Sequence, residues 1–117
     1  DSVFSAIRKH KVGLFGIKPF ANNSLFKGDS SLKNPFREED DKRARLAIRN
    51  ILANPGITAP IPGLVNRHQV DNVARAVKER RKLDAKEQSD LRQASAEMWA
   101  SLERRPDYCW LRNWEHV

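Results

Sequence analysis

The chain is almost without cysteine: Cys109 is the only one in 117 residues. A single thiol excludes an internal disulfide and any cysteine-based metal or iron–sulfur site. The three histidines, His10, His68 and His116, lie far apart without ligand spacing, which argues against a structural metal. No apolar run approaches the roughly 18 residues of a membrane span. The N-terminus has no signal-peptide pattern, and neither an internal repeat nor a low-complexity tract is visible. The first residue is Asp1 rather than Met. The chain is therefore expected to be processed, cut or read from a longer protein. A cytoplasmic location is favoured, with an upstream targeting segment left open.

What is present describes a soluble globular chain. Hydrophobic residues make up 39% and charged residues 32%, a balance too apolar for intrinsic disorder. The formal charge of +7 admits anionic partners, although a solvated basic surface is its commonest meaning. The basic run Arg75, Lys78, Arg80, Arg81 and Lys82 is interrupted by Glu79 and lies opposite Val73, Ala74 and Val77. A solvated helix face explains it more simply than nucleic acid.

Patterning gives the element order. Val3, Phe4 and Ile7 mark one face of a helix over residues 1–10. Val12 to Ile17 is an apolar run without alternation, as expected of a strand buried on both faces, and Lys18-Pro19-Phe20 ends it. The polar stretch 21–35 exceeds the usual connection of roughly 2–6 residues, so it reads as a lid or binding loop, or as a surface loop. A helix is expected from Asn34 as cap and Pro35 as first residue. Ala44, Ala47, Ile48, Ile51 and Leu52 form its buried stripe, and Asn54-Pro55-Gly56 stops it.

Ile57 to Ile61 is a second candidate strand, with Pro60 counting against a regular central one. Asn66 and Gln69 have capping-box spacing. Val70, Val73, Ala74 and Val77 then give the apolar stripe of the next helix. Asp84 and Glu87 form another capping box, followed by Leu91, Ala94, Ser95, Met98 and Leu102 on one stripe. An aromatic tail, Tyr108 to Trp114, is expected to pack against the rest. Alternation of strand and helix implies parallel strands joined by right-handed crossovers.

Two segments resemble the aldo/keto reductases. Val12-Gly13-Leu14-Phe15-Gly16-Ile17-Lys18-Pro19-Phe20-Ala21 is similar to that family's seventh barrel strand. Leu46 to Gly63, containing Asn54-Pro55-Gly56-Ile57-Thr58 and Ile61-Pro62-Gly63, is similar to the following helix, turn and eighth strand. Gln69-Val70-Asp71-Asn72-Val73 resembles the opening of the last barrel helix. The resemblance covers roughly residues 10–90 and implies an α/β fold. The chain would be the C-terminal part of a (β/α)8 TIM barrel, its last two strand–helix units plus an extra C-terminal helix. Residues 1–83 would form the barrel segment, and residues 84–117 a helix and tail packed on it.

The resemblance further implies an oxidoreductase using NADPH or NADH on a small carbonyl or alcohol substrate. Carried over by position, Lys18, Pro19, Phe20 and Ala21 border the pyrophosphate. Gly63, Leu64 and Val65 approach it by backbone. Asn66, Arg67, Gln69 and Asn72 lie near the adenosine phosphate. The family's catalytic aspartate, tyrosine, lysine and histidine come from earlier strands, absent here, so no catalytic residue is assigned and the chain is expected to be inactive alone. Gly63-Leu64 also stands where many relatives carry Lys-Ser. The alternative is a small basic module for nucleic acid or a protein partner, built on a helix pair at 67–81 and 85–103. Neither nucleic acid nor membrane is favoured as a partner, and open strand edges point to self-association.

Overall fold

The computed structural model describes residues 2–104, without the side chain of Glu103. The element order is α1 (Val3–His10), β1 (Phe15–Ile17), α2 (Arg37–Leu52), β2 (Ala59–Ile61), α3 (Arg67–Lys78), α4 (Ala85–Ser101) and a short 3-10 turn (Leu102–Arg104). The expected aromatic tail lies outside the described residues.

The strands β1 and β2 pair in parallel, with Phe15 opposite Ala59, Gly16 opposite Pro60 and Ile17 opposite Ile61. Beyond the strand proper, Thr58 N–H donates to the Leu14 carbonyl at 2.8 Å and Leu14 N–H to Thr58 Oγ1 at 3.0 Å. These two strands are the whole sheet among the described residues. The expectation of a TIM-barrel portion is therefore overturned: a barrel wall needs more strands than this small α/β arrangement has. The expected two-sided burial of the first strand fails with it. Phe15 is 59% exposed, Ile17 70% and Ile61 52%, because among the described residues no layer packs on that sheet face.

The central element is α2. It carries Ala44, Ala47 and Ile48 into a core shared with Phe20, Leu25, Ala76 and Ala94. Both α3 and α4 contact α2, and β2 contacts it as well. Ile48, 1% exposed, is the best-buried large side chain. Phe20 and Phe26, with ring centroids 5.1 Å apart and tilted by 50°, fold the long loop onto this core. Exposed α1 leans on the Asn54–Gly56 turn: a Cβ at Gly56 would meet Phe4 and Ile7.

Helix boundaries follow their caps, with one displacement. Asp84 and Glu87 form the complete reciprocal capping box of α4. The expected start of α2 at Asn34–Pro35 moves to Arg37, with Phe36 at the cap and no side-chain hydrogen bond there. Asn34 is diverted. Its Oδ1 accepts from Phe36 N–H at 2.8 Å, while its Nδ2 donates to the Asp29 carbonyl and to Asp40 Oδ2.

The stripe expected to bury α3 is turned away from the core. Val70 is 49% and Val77 56% exposed, while Asn72 and Ala76 are buried and Val73 half-buried. Polar anchors set this rotation. Asn72 Nδ2 donates to the Asp41 carbonyl at 3.0 Å, Asn72 Oδ1 accepts from Arg45 at 2.6 Å, and His68 Nε2 lies 2.6 Å from Asp41 Oδ2. Three anchors on one helix edge outweigh two half-exposed valines, since an orphaned buried amide costs about 1–3 kcal/mol.

Candidate functional site

A cleft opens where three segments meet: the loop after β1, the first turns of α2, and the stretch from Gly63 into α3. It therefore lies beyond the C-terminal ends of both parallel strands, the usual location of ligand sites in open parallel sheets. Phe20, Phe26, Ala44, Leu64 and Val73 give it an apolar lining; Asp29, Ser30, Ser31, Arg37, Asn66 and His68 give it polar groups. Its volume is about 50 Å³, several times the roughly 10–15 Å³ that one water requires. That suits a ring or sugar edge rather than a whole dinucleotide.

The loop wall is pinned from below by Asp40. This buried carboxylate sits in the first turn of α2 yet accepts Lys27 N–H at 2.8 Å, Gly28 N–H at 3.0 Å and Asn34 Nδ2 at 2.9 Å. Gly28 is required by this packing, since an added Cβ would fall inside the Asn34 side-chain amide. The loop begins in a run of left-handed residues: φ is 53° at Lys18, 47° at Ala21, 54° at Asn22 and 66° at Asn23. Asparagine tolerates this region and lysine and alanine do not, so the strain falls on Lys18 and Ala21.

The opposite wall is the start of α3. Asn66 caps it through Oδ1, which accepts Gln69 N–H at 3.0 Å, and its Nδ2 reaches across to the Ser30 carbonyl at 3.1 Å. Gln69 does not return the capping bond to Asn66; its Oε1 accepts from Val65 N–H at 2.8 Å. The first amides of a helix have no partner within it, and the Asn66 cap takes up only that of Gln69. The N–H groups of Arg67 and His68 have no acceptor within the helix, at its positive end where an anion is favoured.

Of the residues assigned from sequence, Phe20, Gly63, Leu64, Asn66, Gln69 and Asn72 line the cleft, whereas Lys18, Pro19, Ala21 and Arg67 lie outside its lining. The Arg67 side chain is 94% exposed and 3.7 Å from Asp71. Asn66, Gln69 and Asn72 have side chains committed to protein partners, so they shape the cleft more than they offer it bonds. A Cβ at Gly63 would meet nothing within 4 Å, leaving open space above that backbone.

Sequence reasoning missed Asp29, Ser30, Asn34, Arg37, Asp40, Asp41 and His68. The excess length of the loop signalled only Asp29, Ser30 and Asn34. The His68 side chain, 38% exposed, is partly covered by Asp41. Asp29 is held below the ordinary carboxylate range by hydrogen bonds from Ser31, so this exposed carboxyl is charged at neutral pH.

Among the described residues no group of three or more His, Cys, Asp or Glu side chains is placed to hold a metal ion. No helix among them is long and apolar enough to cross a membrane. No protein-family model, curated protein or solved structure matches the chain.

Proposed function

We propose that this chain supplies an adenosine-binding cleft for a nicotinamide cofactor, NADPH or NADH, as part of an oxidoreductase acting on a carbonyl or alcohol substrate. It performs no chemistry alone. The observation that carries this reading is the cleft itself: an apolar slot with polar edges, beyond two parallel strand ends and beside a helix N-terminus. Such a place suits the edge of a planar base or of a sugar inside, with phosphate oxygens beside the helix N-terminus at the rim. The nicotinamide assignment rests on the resemblance of Val12–Ala21 and Leu46–Gly63 to the aldo/keto reductases. In this reading Phe20 and Leu64 contact the base, and Gly63 lets the cofactor approach the backbone. Arg67 and Lys18 add positive charge outside the cleft.

The competing nucleic-acid reading needs α3 and α4 to form a packed helix pair. Both pack on α2 and not on each other, which weighs against that reading.

The test is titration of the 117-residue chain with NADH, followed by the fluorescence of the reduced nicotinamide. Saturable binding displaced by ADP-ribose, without NADH oxidation on adding an aldehyde, is the expected result. Absence of nucleotide binding, together with salt-dependent binding of duplex DNA, would contradict it.

A further inference from the structure

Resting on that reading, we infer that the cleft selects a nucleotide whose ribose carries free 2′- and 3′-hydroxyls and rejects one carrying a 2′-phosphate, and that Asp29 is a specificity-determining residue. The charges lining the cleft decide it. Three carboxylates, Asp29, Asp40 and Asp41, line it, against one guanidinium, Arg37, and the imidazole of His68.

The positive groups in the lining are outnumbered by the carboxylates, and each already holds a protein acceptor. Arg37 Nη1 is bonded to the Leu32 carbonyl at 3.0 Å, and His68 Nε2 lies 2.6 Å from Asp41 Oδ2. Arg45, which bonds the lining residue Asn72 at 2.6 Å, also lies 3.4 Å from Glu79. Arg67 and Lys18 stand outside the lining.

The carboxylates differ in availability. Asp40 accepts three loop donors, and Asp41, its side chain 21% exposed, holds His68 on Oδ2. Asp29 is exposed, and Oδ1 is engaged by Ser31 N–H at 2.9 Å. A carboxylate accepts at about four lone-pair positions, so Asp29 retains capacity for sugar hydroxyls. Ser30 beside it is neutral and can donate or accept, while the Ser31 side chain is already bonded to Asp29. A ribose diol donates to a carboxylate, whereas a 2′-phosphate beside Asp29 meets like charge. The 5′-phosphate escapes this repulsion because it leaves toward the amides of Arg67 and His68 at the rim.

The experiment compares adenosine 5′-monophosphate with adenosine 2′,5′-bisphosphate, which differ only in the 2′-phosphate, by calorimetric titration of the full chain. The monophosphate is expected to bind at least about tenfold more tightly, the scale of one unfavourable charge contact. Asp29→Asn keeps the Oδ1 acceptor for Ser31 and is expected to narrow the ratio severalfold. Leu64→Lys adds a cation to the lining and is expected to narrow it further, giving a second reading if the loop variant folds poorly. Equal or tighter binding of the bisphosphate by the unmodified chain overturns this inference and leaves the cleft reading standing. Binding of neither nucleotide overturns both.

Discussion

Asn34 Nδ2 and Asp40 Oδ2 meet at 2.9 Å, joining the end of the long loop to the first turn of α2 in a buried site. The same carboxylate holds Lys27 and Gly28 N–H groups. Asp40→Ala is expected to cost about 2–3 kcal/mol, because three donors lose their acceptor. Urea denaturation should show a lower midpoint with an unchanged slope. A change below about 0.5 kcal/mol, the size of an ordinary surface substitution, would show that the loop does not depend on Asp40.

Glycine tolerance should be sharply uneven. Gly28→Ala drives a methyl into the Asn34 amide and is expected to destabilise by about 1–3 kcal/mol. Gly16→Ala meets nothing within 4 Å and should be neutral or slightly stabilising, since it restricts the unfolded chain. Equal thermal midpoints for the two variants would contradict the placement of the loop against Asn34.

Ala21, at φ 47°, is an alanine in a region that costs an L-residue about 1–2 kcal/mol. Ala21→Gly removes the strain while loosening the unfolded chain. A net gain of about 0.5–1 kcal/mol is expected. A loss in the same urea titration would mean that the turn is not left-handed there.

Acid should unfold the protein through its arginine–carboxylate pairs. Arg49, 3% exposed, grips both oxygens of Glu87 at 2.8 and 3.1 Å. Arg49, aided by the Asp84 N–H, holds the Glu87 carboxyl below its ordinary value of 4.5. Arg43 does the same for Glu97, and Lys27 with Arg43 for Glu39. A depressed folded pKa gives stabilisation that is complete above the ordinary value. It is lost as pH falls through the folded values. The urea midpoint should therefore hold steady down to the ordinary glutamate value of 4.5 and fall below it. Glu87→Gln should flatten that acid slope; an unchanged slope would remove Glu87 from the account.

The sequence was most readable where local chemistry and packing agreed. Asp84 and Glu87 announced the α4 cap, and its stripe of Leu91, Ala94, Met98 and Leu102 does face the core. The α2 stripe was equally legible. It failed where a polar residue had a distant partner. Asn34 had the composition of a helix cap but was recruited by Asp40, and α3 was rotated by Asn72 and His68 toward Asp41 and Arg45. No local pattern contains those pairings, which join residues 27 or more apart in sequence for α3. The cleft was half legible: Gly63 to Gln69 came from motif likeness, whereas Asp29 and Ser30 enter only through the fold of the loop. The barrel expectation came from motif likeness and failed because short motifs carry no count of the strands beside them.

The most direct test of the central claim is a residue-resolved NMR titration of the chain with adenosine 5′-monophosphate, repeated on Gly63→Val. The account predicts amide shifts concentrated at Phe26, Ser30, Leu64, Arg67, His68 and Val73. A valine at Gly63 should fill the open space above that backbone, abolish the shifts and leave the thermal midpoint nearly unchanged. Shifts confined to the basic end of α3 at Lys78–Lys82, or identical binding by the Gly63→Val chain, would contradict it.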